Sequence, residues 1–322
     1  MNKIAVLTSG GDAPGMNAAI RAVVRYGIHA GMQVVGIENG LKGLVESKFI
    51  GMNLRSVSDI VQRGGTILHS ARCAEFHNEE IQNLAVKNLD RIGVEGLIVI
   101  GGDGSFMAGR ALSLKGVPTV GIPGTIDNDL AYTEYTLGFD TACNTVLDAI
   151  NKLRDTMSSH DRICIIEVMG RNCGDIALHT GLGGGAEIVI VPEIKMDIED
   201  VENKLRLYEA KGKLSSIIVV AEGAGSAIEL RDRLRKDLGY SVRATVLGHL
   251  QRGGSPSMRD RYLGTNWGVE AVKLLKNGIG NRLVGIKNNK FFDIDIIEGC
   301  AMKKKFDYEL YERANVVSNS VK

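Results

Sequence analysis

Short runs of apolar, mostly β-branched residues recur along the chain, and each is followed by glycines and then by a stretch typical of a helix. The four repeats, given as strand, glycine turn and predicted helix, are residues 4–8, 10–12 and 17–30; 96–100, 101–105 and 106–112; 163–168, 169–171 and 174–180; and 217–221, 222–225 and 228–238. Continuous apolar strands that alternate with helices are typical of buried parallel sheets. The pattern therefore predicts an α/β fold with mainly parallel sheets flanked by helices.

Two repeats precede about residue 138 and two follow it, which predicts two Rossmann-like lobes. No Pro- or Ser-rich linker separates them, so the chain is expected to cross between the lobes more than once. Ligands of such sheets bind beyond the carboxyl ends of the strands. Because every glycine turn follows a strand, we expect the active site in a cleft between the lobes.

Composition narrows the class of protein. Of 322 residues, 44% are hydrophobic and 24% are charged, with a net charge of +1, which gives no general attraction to nucleic acid. The cysteines form no CxxC pair, as expected of reduced thiols. The chain shows neither a signal peptide nor an apolar run long enough to span a membrane. We expect a cytoplasmic protein without a membrane or nucleic-acid partner.

Two glycine turns carry candidate phosphate chemistry. Residues 10–15 and 102–105 each lie between a predicted strand and a helix, where glycines and the helix N-terminus favour an anion. Asp103 is a candidate Mg²⁺ ligand, and Arg72 lies between the two turns in sequence. The alternative is a pair of purely structural turns. The GxGxxA at residues 181–186 follows a helix and precedes a strand, the reverse of the dinucleotide-binding context.

Asp127 and Asp129 form the candidate catalytic pair, with Thr125 beside them. In an extended segment, carboxylates two residues apart project to one side, and a carboxylate can take the proton of an attacking hydroxyl. The alternative is an Asx-type turn, because Asp-Asn-Asp is good turn chemistry.

Arginine is the second candidate chemistry, since its guanidinium donates bidentately to phosphate. We interpret Arg162, Arg171, Arg243 and Arg252 as following strands. Solvated surface positions are the alternative for each of them, but Arg171 and Arg252 are flanked by glycines and are interpreted as ligand contacts. On the first predicted helix, Arg21 and Arg25 are four residues apart, and either a bound anion or the helix dipole would relieve their repulsion.

Six ordered motifs resemble those of the bacterial ATP-dependent 6-phosphofructokinase family over essentially the whole chain; they are residues 7–17, 64–67, 100–105, 123–129, 167–171 and 248–256. The resemblance implies that MgATP phosphorylates fructose 6-phosphate to fructose 1,6-bisphosphate, the committed step of glycolysis. It implies an ATP-binding lobe of 1–138 plus about 251–305, and a fructose 6-phosphate-binding lobe of about 139–250 plus 306–322.

The resemblance also implies roles for single residues. ATP would be held by Gly11, Arg72, Cys73, Phe76, Gly102, Gly104 and Ser105, with Asp103 at the Mg²⁺. Asp127 would be the base, assisted by Thr125 and Asp129, and Arg171 would neutralise charge on the transferring group. The sugar phosphate would contact Thr125, Asp127, Met169, Gly170, Arg171, Glu222, His249 and Arg252, while Arg162 and Arg243 would reach it from a neighbouring subunit of a homotetramer built as a dimer of dimers.

The phosphoryl donor and the effectors complete what the resemblance implies. Glycine at 104 and 124 is typical of the ATP-using branch, whereas pyrophosphate-using relatives carry Asp and Lys there. An effector site for ADP and phosphoenolpyruvate would use Arg21, Arg25, Asp59, Arg154, Gly185, Glu187, Lys211 and Lys213. Leu54 stands where a relative has Arg, and Ser215 stands where it has His, so reduced allosteric control is expected. In the active site, Leu41 stands where an aromatic residue often stacks on adenine.

Three other functional classes fit the sequence less well. Nicotinamide-dinucleotide and lipid kinases share the turn at 101–105, but they lack the loop from His249 to Arg252 and the Asp127/Asp129 pair in this order. A non-catalytic nucleotide sensor would be expected to have lost Asp127 or Arg171, and both are present. A dehydrogenase is disfavoured because its fingerprint stands in the wrong context.

Overall fold

The structure, a computed structural model, describes residues 1–195 and 197–318. Residues 196 and 319–322 of the lobe expected over 139–250 plus 306–322 lie outside the described residues. The chain divides into two compact units. Unit 1 comprises Met1–Ile126, Leu130–Thr141 and Arg252–Lys304; unit 2 comprises Asp127–Asp129, Ala142–Gln251 and Lys305–Lys322.

Unit 1 contains an 8-stranded, mainly parallel sheet with the order β12-β11-β5-β4-β1-β2-β3, and β6 pairs with β5. Its strands are β1 Lys3–Thr8, β2 Gln33–Ile37, β3 Phe49–Met52, β4 Gly96–Gly101, β5 Thr119–Thr125, β6 Leu137–Gly138, β11 Arg282–Lys287 and β12 Lys290–Asp295. Its helices are α1 Met16–His29, α2 Gly40–Val45, α3 Glu79–Arg91, α4 Asp103–Leu114, α9 Met258–Lys276 and α10 Ile296–Ala301. The pairs β2–β3 and β11–β12 are antiparallel and close the two edges.

Unit 2 contains a 4-stranded parallel sheet with the order β10-β7-β9-β8. The strands are β7 Ile163–Val168, β8 Ile188–Ile190, β9 Ser216–Ala221 and β10 Val242–Val246. The helices of this part of the chain are α5 Phe139–Ser158, α6 Asp175–Gly184, α7 Ile198–Ala210, α8 Ala227–Leu238 and α11 Tyr308–Ser318, of which α5 begins in unit 1. The predicted α/β class with mainly parallel sheets is confirmed.

Glycines allow α1 and α9 to pack closely in unit 1. A Cβ added at Gly264 would lie 2.8 Å from the carbonyl oxygen of Gly15, and one added at Gly268 would lie 2.6 Å from the Cβ of Ala22. Side chains at these positions would separate the helices, because real Cβ atoms essentially never approach so closely. This close packing positions Gly15, which has a φ of 103° and precedes α1 at the end of the first glycine turn.

Asp260 of α9 is a buried carboxylate that ties α9 to the start of α5. It accepts hydrogen bonds from the backbone N–H of Gly138 at 2.9 Å and of Thr141 at 2.9 Å, and a further one from the Thr141 hydroxyl at 2.5 Å. Burial raises the pKa of Asp260 to about 6, against the effect of these donors. The ionised form is therefore the costly one in the folded protein.

We expect Asp260 to make stability fall as pH rises. Its folded pKa lies above its unfolded value, so the folded chain binds the extra proton between pH 4 and pH 6, and the free energy of unfolding declines across that window by about 2–3 kcal/mol. Denaturant unfolding at pH 4.5 and pH 7 should show this decline in the wild type relative to Asp260→Asn. Asp148→Asn, at an exposed carboxylate of α5, is the control. An equal pH response in all three proteins would contradict the assignment.

Within the described residues, no helix combines the length and the apolar character needed to cross a bilayer.

Candidate active site

The first glycine turn of unit 1 follows β1 and is fastened to the end of β4. The N–H of Ser9 donates to the carbonyl of Ile100 at 2.9 Å, and the Ser70 hydroxyl donates to the carbonyl of Gly10 at 2.6 Å. A Cβ added at Gly11 would lie 2.4 Å from Nη1 of Arg252. The turn thus brings Gly11 against the guanidinium of Arg252, two residues that the sequence assigned to nucleotide and sugar phosphate respectively.

The second glycine turn leads into α4, whose N-terminus is open. Asp103 and Gly104 of its first turn are exposed, whereas Ser105 is buried. No atom lies within 4 Å of where a Cβ on Gly104 would be, while one on Gly102 would lie 3.5 Å from the Cβ of Thr125. A helix N-terminus with free space beside it suits a phosphate.

A cavity of about 530 Å³ adjoins this helix end in unit 1. Cys73, Phe76 and Gly104 line it together, so the structure brings these predicted nucleotide residues to one place. Leu41 and Met107 supply apolar wall, which suits the faces of a purine ring. Burial, helped by the charge of Glu75, raises the pKa of the Cys73 thiol, which therefore lines the cavity as a neutral group.

Gly124 is a packing position as well as a feature of the ATP-type pattern. A Cβ added there would lie 3.0 Å from Cε of Met16 and 3.1 Å from Cγ2 of Ile100. A lysine at 124 would therefore require both neighbours to move, a steric reason that the sequence alone did not supply.

The segment that carries Asp127 and Asp129 is a turn. β5 ends at Thr125, residues 126–127 form a turn, and Asn128 has a φ of 52°. The extended geometry that would project both carboxylates to one side is therefore wrong, because the left-handed Asn128 separates them. Nδ2 of Asn128 donates to Oδ2 of Asp175 at 2.8 Å and holds the turn to the start of α6.

Asp127 and Arg171 form an ion pair in unit 2. Nε of Arg171 lies 3.3 Å from Oδ2 of Asp127, whose side chain is 1% exposed, whereas that of Arg171 is 63% exposed. An opposite charge at this distance favours the ionised form of a carboxylate. The pair therefore offers a base in a dry site and a cation that reaches solvent.

The turn after β7 holds Arg171 in place. The backbone N–H of Arg171 donates to Oε1 of Glu222 at 2.9 Å, and the backbone N–H of Glu222 donates to the carbonyl of Val168 at 2.8 Å. Gly170 and Arg171 have φ values of 133° and 53°. A Cβ added at Gly223 would lie 2.0 Å from the carbonyl oxygen of Arg171. This turn brings the predicted residues Gly170, Arg171 and Glu222 together.

Two of the four arginines that were predicted to follow strands do not do so. Arg162 precedes β7, and Arg243 lies inside β10, so the interpretation that both follow strands is wrong. An arginine next to an apolar run can stand before, within or after the strand, and spacing does not distinguish these cases. Arg171 follows β7 as expected, while Arg252 ends a 3₁₀ turn at Gly248–Arg252 in which His249 is exposed.

Two positioning residues were missed by the sequence analysis. Gln251 is fully buried, and its Oε1 accepts from the N–H of Met169 at 3.1 Å while its Nε2 donates to the carbonyl of Gly248 at 3.1 Å. Asp175 holds Asn128, as described above. Gln251 lies within the motif at 248–256, and that neighbourhood is the only signal that could have singled it out.

Part of the predicted effector set meets around Glu187 in unit 2. Lys213 Nζ lies 2.8 Å and Arg154 Nη1 3.5 Å from Oε1 of this buried carboxylate, and Oε2 accepts from the N–H of Ile217 at 2.6 Å. Arg154 also donates to the carbonyl of Gly185 at 2.7 Å. Lys211 follows α7 in unit 2, whereas Arg21, Arg25 and Asp59 belong to unit 1.

Comparisons with known proteins agree with these features. A family model described as phosphofructokinase matches residues 3–275. The ATP-dependent 6-phosphofructokinases of Clostridioides difficile and Clostridium tetani are 57% and 58% identical over 318 residues, which is 99% of this chain and 100% of each relative. The solved structure of phosphofructokinase from Saccharomyces cerevisiae superposes with a TM-score of 0.89 at 32% identity, over 98% of this chain and 50% of that one.

Proposed function

This chain belongs to the phosphofructokinase family, and on that premise we propose that it transfers the γ-phosphoryl group of ATP to the 1-hydroxyl of fructose 6-phosphate. The products are fructose 1,6-bisphosphate and ADP, and the reaction is a cytoplasmic step of glycolysis. The residues proposed for the nucleotide belong to unit 1, and the proposed base, Asp127, belongs to unit 2.

The observation that carries this proposal is the ion pair of Asp127 with Arg171. Asp127 takes the proton of the sugar 1-hydroxyl while the oxygen of that hydroxyl attacks the γ-phosphorus of ATP. Arg171 keeps the base ionised and then stabilises negative charge on the transferring group. Thr125, at the end of β5, and Asp129 assist at the same turn.

The nucleotide is held by the two glycine turns and the cavity beside α4. Its phosphates lie on the backbone of the first turn and the N-terminus of α4, and its base enters the cavity lined by Cys73 and Phe76. The residues proposed for ATP are Gly11, Arg72, Cys73, Phe76, Gly102, Gly104 and Ser105. Free space at Gly104 is what a bound phosphate requires of the protein.

The residues present fit a Mg²⁺ ion carried by the nucleotide. Among the residues that the structure describes, no group of three or more His, Cys, Asp or Glu side chains could hold a metal alone. Asp103 is an exposed carboxylate in the first turn of α4, and one carboxylate plus substrate phosphates is a usual environment of Mg²⁺. When bound, the ion neutralises charge on the phosphates.

We propose that the sugar phosphate contacts residues of one subunit and two arginines of an adjacent subunit. From one subunit it contacts Met169, Gly170, Glu222, His249 and Arg252; Arg162 and Arg243 act from an adjacent subunit. These last two contacts require at least a dimer, and we propose a homotetramer arranged as a dimer of dimers. Sedimentation equilibrium measures that assembly directly.

The proposed effector site takes ADP as activator and phosphoenolpyruvate as inhibitor, with a weak response. Lys213 and Arg154 both lie beside the buried Glu187, which neutralises part of their charge, and neither Leu54 nor Ser215 offers a cation. We expect phosphoenolpyruvate to shift the half-saturating concentration of fructose 6-phosphate by less than about threefold, since each lost charged hydrogen bond weakens anion binding about tenfold or more. Initial rates over the sugar phosphate, with and without the inhibitor, check this. A shift of tenfold or more would refute it.

The test of the proposed function compares phosphoryl donors. The chain is assayed with fructose 6-phosphate and Mg²⁺ in a coupled assay for fructose 1,6-bisphosphate, with either ATP or pyrophosphate. Activity with ATP and none with pyrophosphate is expected. Activity with pyrophosphate would overturn the proposed role of Gly104 and Gly124, and activity with neither donor would overturn the proposed reaction.

A further inference from the structure

The cavity beside α4 is bordered on its α3 side by Gln82, whose amide has a fixed orientation. Nε2 of Gln82 donates to the backbone carbonyl of Phe76 at 3.0 Å. Only the amide nitrogen can make that bond, because a carbonyl does not donate. Gln82 lines the cavity, and because Nε2 is engaged, Oε1 is the amide atom left to accept a hydrogen bond.

His77, in the 3₁₀ turn at Ala74–His77 that precedes α3, presents a second acceptor to the same cavity. Its Nδ1 contacts the carbonyl of Ala74, so the proton of the neutral imidazole lies on Nδ1. Nε2 then carries the lone pair. Two side chains on this wall are thus held as acceptors by backbone carbonyls.

The charged donor of the lining belongs to a different element. Arg110 lines the cavity from α4. Gln82 lines it from α3, and His77 lines it from the turn before α3. The wall formed by Gln82 and His77 therefore has acceptor character.

Purine bases differ in whether the group at position 6 donates or accepts a hydrogen bond. Adenine carries an amino group, which donates, whereas guanine and hypoxanthine carry an oxygen, which accepts. The geometry points to Gln82, supported by His77, as the residue that reads position 6 and selects adenine over 6-oxopurine nucleotides. This inference rests on the proposed function, which places the nucleotide base in this cavity.

Inosine triphosphate tests the inference, because it replaces the 6-amino group by oxygen and leaves ribose and phosphates unchanged. We expect the wild type to favour MgATP over MgITP by about tenfold in kcat/KM. The 6-amino group of ATP makes a hydrogen bond to Oε1 of Gln82, whereas the 6-oxygen of ITP would face this oxygen as a second acceptor. Gln82→Met removes the acceptor and should bring the ratio to within about threefold of unity. Gln82→Lys offers a donor and should favour MgITP.

Gln33→Met is the matched control, because Gln33 is exposed at the start of β2 and does not line this cavity. Calorimetric binding of MgATP and MgITP, without the sugar phosphate, separates the two proposals: base selection in binding without phosphoryl transfer would refute the reaction and keep the inference. Equal use of both nucleotides by the wild type, or a preference that survives in both Gln82 variants, would overturn the inference.

Discussion

Replacement of Asp127 by serine is expected to lower kcat by about 10³-fold or more, the loss of a general base from a preorganised site. The side chain is buried and its partner is the Arg171 guanidinium. Serine is too short to reach the substrate proton at the same place and carries no charge. Arg171 would then face the sugar hydroxyl without a base.

The measurement is the steady-state rate with MgATP and fructose 6-phosphate, together with the binding of each substrate. A fall in kcat with little change in binding identifies an interaction made in the transition state. Asp148→Ser, which removes an exposed carboxylate of α5, is the control. A variant at position 127 that kept more than a tenth of the wild-type kcat would contradict the role of Asp127 as base.

Replacement of Gly223 by alanine is expected to lower kcat by about 10²-fold, although Gly223 is not among the proposed substrate contacts. Its Cβ would lie 2.0 Å from the carbonyl oxygen of Arg171 and 3.0 Å from the carbonyl carbon. The backbone of the turn must move by about 1 Å to relieve the overlap, and a catalytic group misplaced by that much costs about 10²-fold in rate. Overpacking of this kind also costs about 1–3 kcal/mol of stability.

Gly51→Ala is the matched control, because a Cβ at that position in β3 meets no atom within 4 Å. Rates and thermal midpoints of both variants should be measured side by side. We expect the Gly223→Ala variant to lose much more kcat than its loss of stability alone would cause in an enzyme that is still folded. Equal rates for the two variants would show that the Arg171 turn tolerates displacement.

The sequence predicted strands well where an apolar run ends in glycines. β1, β4, β7 and β9 were all found this way. β5 was not, because Gly121, Pro123 and Gly124 interrupt its apolar pattern, and such residues usually indicate a turn. Pairing with neighbouring strands makes this segment a strand. Pro123 is opposite Gly101 of β4, whereas β11 pairs only with Val120 and Gly121. No residue of β11 therefore has to accept a hydrogen bond from the backbone nitrogen of Pro123, which has no hydrogen to donate.

The identity of candidate site residues was easier to predict than their geometry. The resemblance to the family grouped Cys73, Phe76 and Gly104, which line one cavity. The residue types could not reveal that Asn128 is left-handed, because an Asp-Asn-Asp segment is compatible with both extended and turn conformations. Nor could they identify Gln251, whose role depends on a hydrogen bond to the distant Met169.

The interleaving of the two units along the chain has a consequence for synthesis. Most of unit 2 is one continuous segment, Ala142–Gln251, whereas unit 1 still lacks Arg252–Lys304 when that segment has emerged from the ribosome. Until then α1 lacks α9, and β5 lacks β11 on its outer side. At about 5–20 residues per second, several seconds pass before the missing segment is made. Nascent chains of this length therefore expose an apolar helix face and an open sheet edge until the last part of unit 1 is made.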